Sequence, residues 1–198
     1  MLRSSRSLRL ILLACVVVVA ASGLSGCGGG DDPKPKSSVP AGFDVPDGVT
    51  ITKPGTKRVA GESASVVYQV DEKATSAITV TITNVRKGMI EDFRFFSLSP
   101  EQQASSPFYV DLAVVNEGPA GLGGVALPVF AHDDSNTLLP PTPIVGSFAP
   151  CPTGELPESF LPGQSATLCM VYLVPAGHAL VSVDLEPDGS DSTITWTP

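Results

Sequence analysis

From Ile78 to Thr83 the chain alternates strictly, with Ile78, Val80 and Ile82 on one side and Thr79, Thr81 and Thr83 on the other. A period of two built from β-branched residues describes a strand with one buried face and one wet face. The pattern recurs. Val66, Tyr68 and Val70 alternate with Val67 and Gln69. Phe108, Val110, Leu112 and Val114 share a face, and the run from Asn116 to Pro119 is expected to stop that strand. A further strand is expected from Val125 to Ala131, turned by residues 132–136. Leu168 to Val174 is apolar on both faces, as a central strand is, and Ala179, Val181, Val183 and Leu185 alternate again. Asp188 and Gly189 then turn the chain into Ile194 and Trp196. Nineteen prolines and nineteen glycines exclude long helices. About seven to nine short strands in residues 58–198 predict an all-β fold, an antiparallel β-sandwich.

The N-terminus carries an address. Arg3, Arg6 and Arg9 precede an apolar run from Leu10 to Ala21, and small residues lead into Leu24, Ser25, Gly26 and Cys27. This is the layout of a secretory signal peptide. The apolar run is shorter than the roughly 20 residues a membrane span needs. The last four residues resemble the lipobox of bacterial lipoproteins, which implies removal of residues 1–26 and a lipid on the Cys27 thiol. Residues 27–57 are rich in glycine, proline, serine and charge. They read as a disordered tether between membrane and domain.

The charge balance excludes some partners. The whole chain carries −8 and residues 1–26 carry +3, so the processed chain would carry −11. No basic stripe remains to neutralise phosphates, so no nucleic-acid partner is expected. An anionic lipid surface offers no attraction either, and membrane attachment must come from the lipid on Cys27. Localisation is therefore expected at the outer face of the cell membrane. With Cys15 in the signal and Cys27 acylated, Cys151 and Cys169 remain. In an oxidising compartment the pair is expected to form a disulfide, with two buried thiols as the alternative.

The order of pieces resembles a family of bacterial surface proteins, the DUF4352-type immunoglobulin-like domain, with an MPT63-like fold. The likeness is carried by residues 77–85, by residues 108–118 ending in Asn116, Glu117 and Gly118, by residues 161–165, and by residues 174–177. It implies an immunoglobulin-like sandwich on an extracytoplasmic lipoprotein, and it implies no reaction. The proline-rich loop from Pro140 to Leu161, which carries Cys151, departs from that family's pattern.

Candidate chemistry is sparse. His132, Asp133 and Asp134 form the one local cluster able to ligate a cation, yet these residue types also dominate turns. They are read as an exposed acidic turn and a binding surface, with His178 exposed at a strand boundary. The competing reading is a copper-type metal or small-solute carrier using His132, Asp133, Asp134 and His178. The two histidines, with Met89 and Met170, match no recognisable copper spacing. Ser65, Ser97 and Ser165 lie in no G-x-S-x-G elbow. Glu155 and Glu158 sit in a proline-rich loop that suits solubility better than paired acid–base work. No cofactor motif is present, so no enzyme and no cofactor are expected. Phe93, Phe95 and Phe96 around Arg94 are expected to pack in the core rather than form an exposed strip. The function expected is non-catalytic binding of a protein or ligand in the cell envelope.

Overall fold

Nine strands form two sheets in a computed structural model that describes residues 39–71 and 73–198. Residues 1–26, read as a signal peptide, and Cys27, read as the lipid site, lie outside the described residues. One sheet has the order β1(Lys57–Val59), β9(Ile194–Thr197), β8(Leu180–Leu185), β5(Val129–Asp133), β6(Leu138–Leu139). The other has the order β2(Ser63–Gln69), β3(Thr75–Lys87), β4(Ser106–Pro119), β7(Ser165–Val174). All pairings are antiparallel except β1 on β9. This is an immunoglobulin-like β-sandwich. Among the described residues no helix is long and apolar enough to cross a membrane.

The alternation does what its period requires. Ile78, Val80 and Ile82 from β3 meet Val110, Leu112 and Val114 from β4 on the inner face, all fully buried. Val129, Ala131, Val183, Leu185, Ile194 and Trp196 close the core from the opposite sheet. Burying each valine, leucine or isoleucine among them contributes about 1.5–3 kcal/mol. Two polar ends are accommodated within this apolar layer: the Tyr172 hydroxyl donates to the Val129 carbonyl at 2.8 Å, and Trp196 Nε1 donates to the Glu62 carbonyl at 2.8 Å. On the outer face, Thr79 and Thr81 share hydroxyl hydrogen bonds with Ser65 and Ser63, each at 2.8 Å. The threonines thus form a cross-strand polar ladder.

β4 ends at Pro119, within the run from Asn116 to Pro119 expected to stop it, and the fully buried Asn116 amide satisfies backbone groups of the following loop. Three other expectations are corrected. β7 is an edge strand and not a central one. It is apolar on both faces because a second aromatic cluster covers its outer face. In β8 the register shifts opposite His132 and Asp133, so Val181 is exposed while Val183 is buried. One extra residue in a strand reverses its facing. Finally, the sandwich begins before Arg58. Thr52 N–H donates to the Ser65 carbonyl at 2.7 Å, and Gly55 N–H donates to the Thr193 carbonyl at 2.8 Å. The end of the segment read as tether is held by backbone pairing, which composition does not reveal.

Candidate functional site

The sequence-selected residues gather at one corner, where the turn after β5 meets the loop between β7 and β8. His132 and Asp133 belong to β5, and the turn proper is formed by Asp134 and Ser135. Asn136 completes it at φ 63°, a left-handed conformation that asparagine tolerates better than most residues. Asp133 is therefore not an exposed turn residue: it is 2% exposed. Its Oδ1 accepts from Ser135 N–H at 2.9 Å, Ser135 Oγ at 2.6 Å and Thr137 N–H at 2.9 Å. The Ser135 hydroxyl in particular holds the Asp133 carboxyl below the usual carboxylate range. The role of Asp133 is to tie the turn. Asp134 is exposed as expected.

The histidines separate into two pairs. His132 Nδ1 lies 2.9 Å from Oδ2 of the buried Asp184, and His178 Nδ1 lies 2.7 Å from Asp134 Oδ1. Among the described residues no group of three or more His, Cys, Asp or Glu side chains is gathered to hold a metal ion. Ser182 Oγ donates to Asp184 Oδ1 at 3.3 Å. The carboxylate thus stands between serine and histidine, whereas nucleophile activation needs the histidine next to the serine.

A second constellation lies on the outer face of the β2-β3-β4-β7 sheet. Phe93, Tyr109, Phe148, Cys151, Cys169 and Val171 form a buried cluster there. Phe93 and Phe148 stack with ring centroids 4.7 Å apart. Phe93 is core, as expected, but Phe95 is 83% exposed, with Arg94 4.5 Å from its ring centroid. Gly88 is required by close approach, since a Cβ there would lie 2.5 Å from the Tyr109 ring. The Tyr109 hydroxyl donates to Asp92 Oδ2 at 2.8 Å, and burial, aided by that bond, pushes its pKa well up. Arg86 binds Asp111 Oδ2 through Nε at 2.9 Å and lies 4.7 Å from the Tyr109 ring centroid. Its Nη2 donates to the Pro150 carbonyl and lies 3.6 Å from Cys169 Sγ. Sequence reasoning missed Arg86, Asp111 and Asp92, because their partners come from distant strands.

Cys151 and Cys169 are disulfide-bonded, with Cα atoms 5.2 Å apart. The bridge pins the proline-rich loop to β7, and two backbone bonds reinforce it. Cys169 N–H donates to the Thr153 carbonyl at 2.6 Å, and Thr142 N–H donates to the Val171 carbonyl at 2.7 Å. Between loop and strand lies a cleft of about 530 Å³ with Ile144, Phe148, Pro152, Leu127 and Met170 among its walls and Glu155 on its lining.

No family model matches this chain, and no curated protein does. Two solved structures are similar to it. One is MPT63, a secreted protein from Mycobacterium tuberculosis, at 11% identity and TM-score 0.47, covering 73% of this chain and 98% of that one. The other is an uncharacterized β-sandwich protein from Clostridium difficile 630, at 14% identity and TM-score 0.44, covering 75% of this chain and 97% of that one.

Proposed function

We propose that this chain is a non-catalytic extracytoplasmic lipoprotein of the DUF4352-like kind, whose sandwich recognises a partner in the cell envelope. Residues 1–26 direct export, Cys27 takes the lipid, and the segment after it holds the domain off the membrane. The observation that carries the reading is the Cys151–Cys169 bridge. Disulfides persist in oxidising compartments, which agrees with the export signal. The bridge also stiffens a loop that walls a cleft, and a preordered loop loses less entropy on binding. The charge of −8 disfavours nucleic acid.

Membrane fractionation tests the anchor. Cys27→Ser is expected to move the protein from the membrane fraction to the medium, or to leave an unprocessed precursor. A correctly cleaved Cys27→Ser variant still held in the membrane would defeat the reading. A stoichiometric transition metal in protein purified without a tag, lost in Asp133→Ala and Asp134→Ala, would favour the carrier instead.

A further inference from the structure

The floor of the cleft has backbone groups that are engaged at both ends and open in the middle. β7 is the outermost strand of its sheet, so alternate residues turn their backbone groups away from β4. Cys169 is one such residue, because its N–H reaches outward to Thr153; Val171 is the next, because its carbonyl reaches outward to Thr142. In an antiparallel pair, a residue's N–H and C=O point to the same side. The Cys169 carbonyl and the Val171 N–H therefore also face outward, and neither is hydrogen-bonded to any described residue.

That spacing has a specific complement. In parallel pairing, one residue donates its N–H to the carbonyl of residue i−1 and accepts at its own carbonyl from the N–H of residue i+1. With Met170 as residue i, the open pair is the footprint of a single residue running parallel to β7. The Thr153 carbonyl and the Thr142 N–H stand where that residue's neighbours, two before and two after, would bond. A side chain paired opposite Met170 projects to the same face as Met170, where Ala126, Leu127 and Met170 line the cleft. The outer wall is Ile144 and Phe148 with prolines on either side. Glu155 is on the lining and no lysine or arginine is, so the site disfavours acidic ligands. The volume of about 530 Å³ lies within the range of roughly 300–1,000 Å³ usual for ligand sites.

We propose that this cleft binds a peptide, neutral or basic, that adds one apolar residue to the β7 edge parallel to the strand, its chain turning away from the edge on either side where Thr153 and Thr142 already bond. This deepens the reading of the domain as a recognition module and names the ligand of its cleft. Main-chain bonds would provide affinity, and Leu127 and Met170 on the Met170 face would select the side chain, as in other strand-addition complexes.

The test uses the full-length protein in detergent micelles and blocked heptapeptides, N-acetylated and C-amidated. Each carries Val, Leu or Asp at its centre in a Gly-Ser background, flanked by Lys or Glu. Fluorescence anisotropy is expected to show binding of the Val and Leu peptides with Lys flanks, and at least tenfold weaker binding with central Asp. N-methylation of the central residue, which removes the donor to the Cys169 carbonyl, is expected to weaken binding at least tenfold. N-methylation of the adjacent residues is expected to change it less than threefold. Gly154 is exposed, and a Cβ there would lie 3.8 Å from the Cys169 carbonyl oxygen. Gly154→Leu is therefore expected to cover that oxygen and weaken binding tenfold at unchanged Tm. Glu155→Lys is expected to reverse the flank preference. The proposal is overturned by no binding tighter than about 1 mM to thermally intact protein, by equal sensitivity to N-methylation at every position, or by binding indifferent to Gly154→Leu. Its failure is separable from that of the lipoprotein reading: loss of peptide binding leaves the Cys27 fractionation untouched, and the reverse also holds.

Discussion

Replacing Asn116 with alanine strikes a buried side chain that ties β3, β4 and the loop before β7 together. The amide is fully buried and makes four hydrogen bonds. Oδ1 accepts from Ser76 Oγ at 2.6 Å and from Gly118 N–H at 3.0 Å. Nδ2 donates to the Ala120 carbonyl at 2.8 Å and to the Phe160 carbonyl at 3.1 Å. The four losses are not equal. The Phe160 carbonyl keeps Leu122 N–H at 3.0 Å, and Ala120 is partly exposed, so water can replace the amide there. The Ser76 hydroxyl and the Gly118 N–H are left without that acceptor in buried surroundings. Each such group costs about 1–3 kcal/mol when orphaned. With the smaller terms added, Asn116→Ala is expected to lose about 3–5 kcal/mol, a large share of the roughly 5–15 kcal/mol typical of a domain.

Urea denaturation measures this as a lower midpoint at unchanged slope. A double-mutant cycle sharpens it. Ser76→Ala removes one of the two orphans in advance, so the double variant should lose about 1 kcal/mol or more less than the sum of the singles. A loss below about 1 kcal/mol for Asn116→Ala, or strict additivity with Ser76→Ala, would refute the reasoning, since it would mean that water satisfies the site.

Replacing both Cys151 and Cys169 with alanine is expected to cost about 2–4 kcal/mol in the same assay, from restored loop entropy and lost packing; a loss within about 0.5 kcal/mol would show the loop is held by its other contacts. Asp133→Ala is expected to lower Tm whereas Asp134→Ala leaves it nearly unchanged, because Asp133 ties the turn and Asp134 faces solvent. The folded pKa of Asp133 is depressed, so its stabilisation is present above the unfolded carboxyl pKa of about 4 and is lost as pH falls through the folded value. The Tm of Asp133→Asn should therefore fall less than wild type between about pH 6 and pH 2.5. Equal slopes would remove Asp133 from the acid response.

Legibility in this chain follows the range over which each signal acts. Inward-facing runs such as Ile78–Val80–Ile82 and Val110–Leu112–Val114 are legible because facing depends only on neighbours two positions away. The disulfide is legible because only two cysteines follow Cys27. Asn116 is legible only in part: asparagine shortly before glycine marks the end of the strand locally, while its partners, Ser76 and Phe160, lie about 40 positions away on either side. Asp133 misleads, as the turn it stabilises starts one residue later. The β7 edge shows the limit most sharply. Residues apolar on both faces indicate burial on both faces, and nothing in that pattern says whether the cover is a neighbouring sheet or a loop carrying Phe148. What distinguishes a central strand from an edge is the fate of its outward backbone groups, and backbone groups leave no mark on the sequence. The Cys169 carbonyl and the Val171 N–H, on which the peptide-binding inference rests, could therefore be found only from the sheet order and the two loop bonds that flank them.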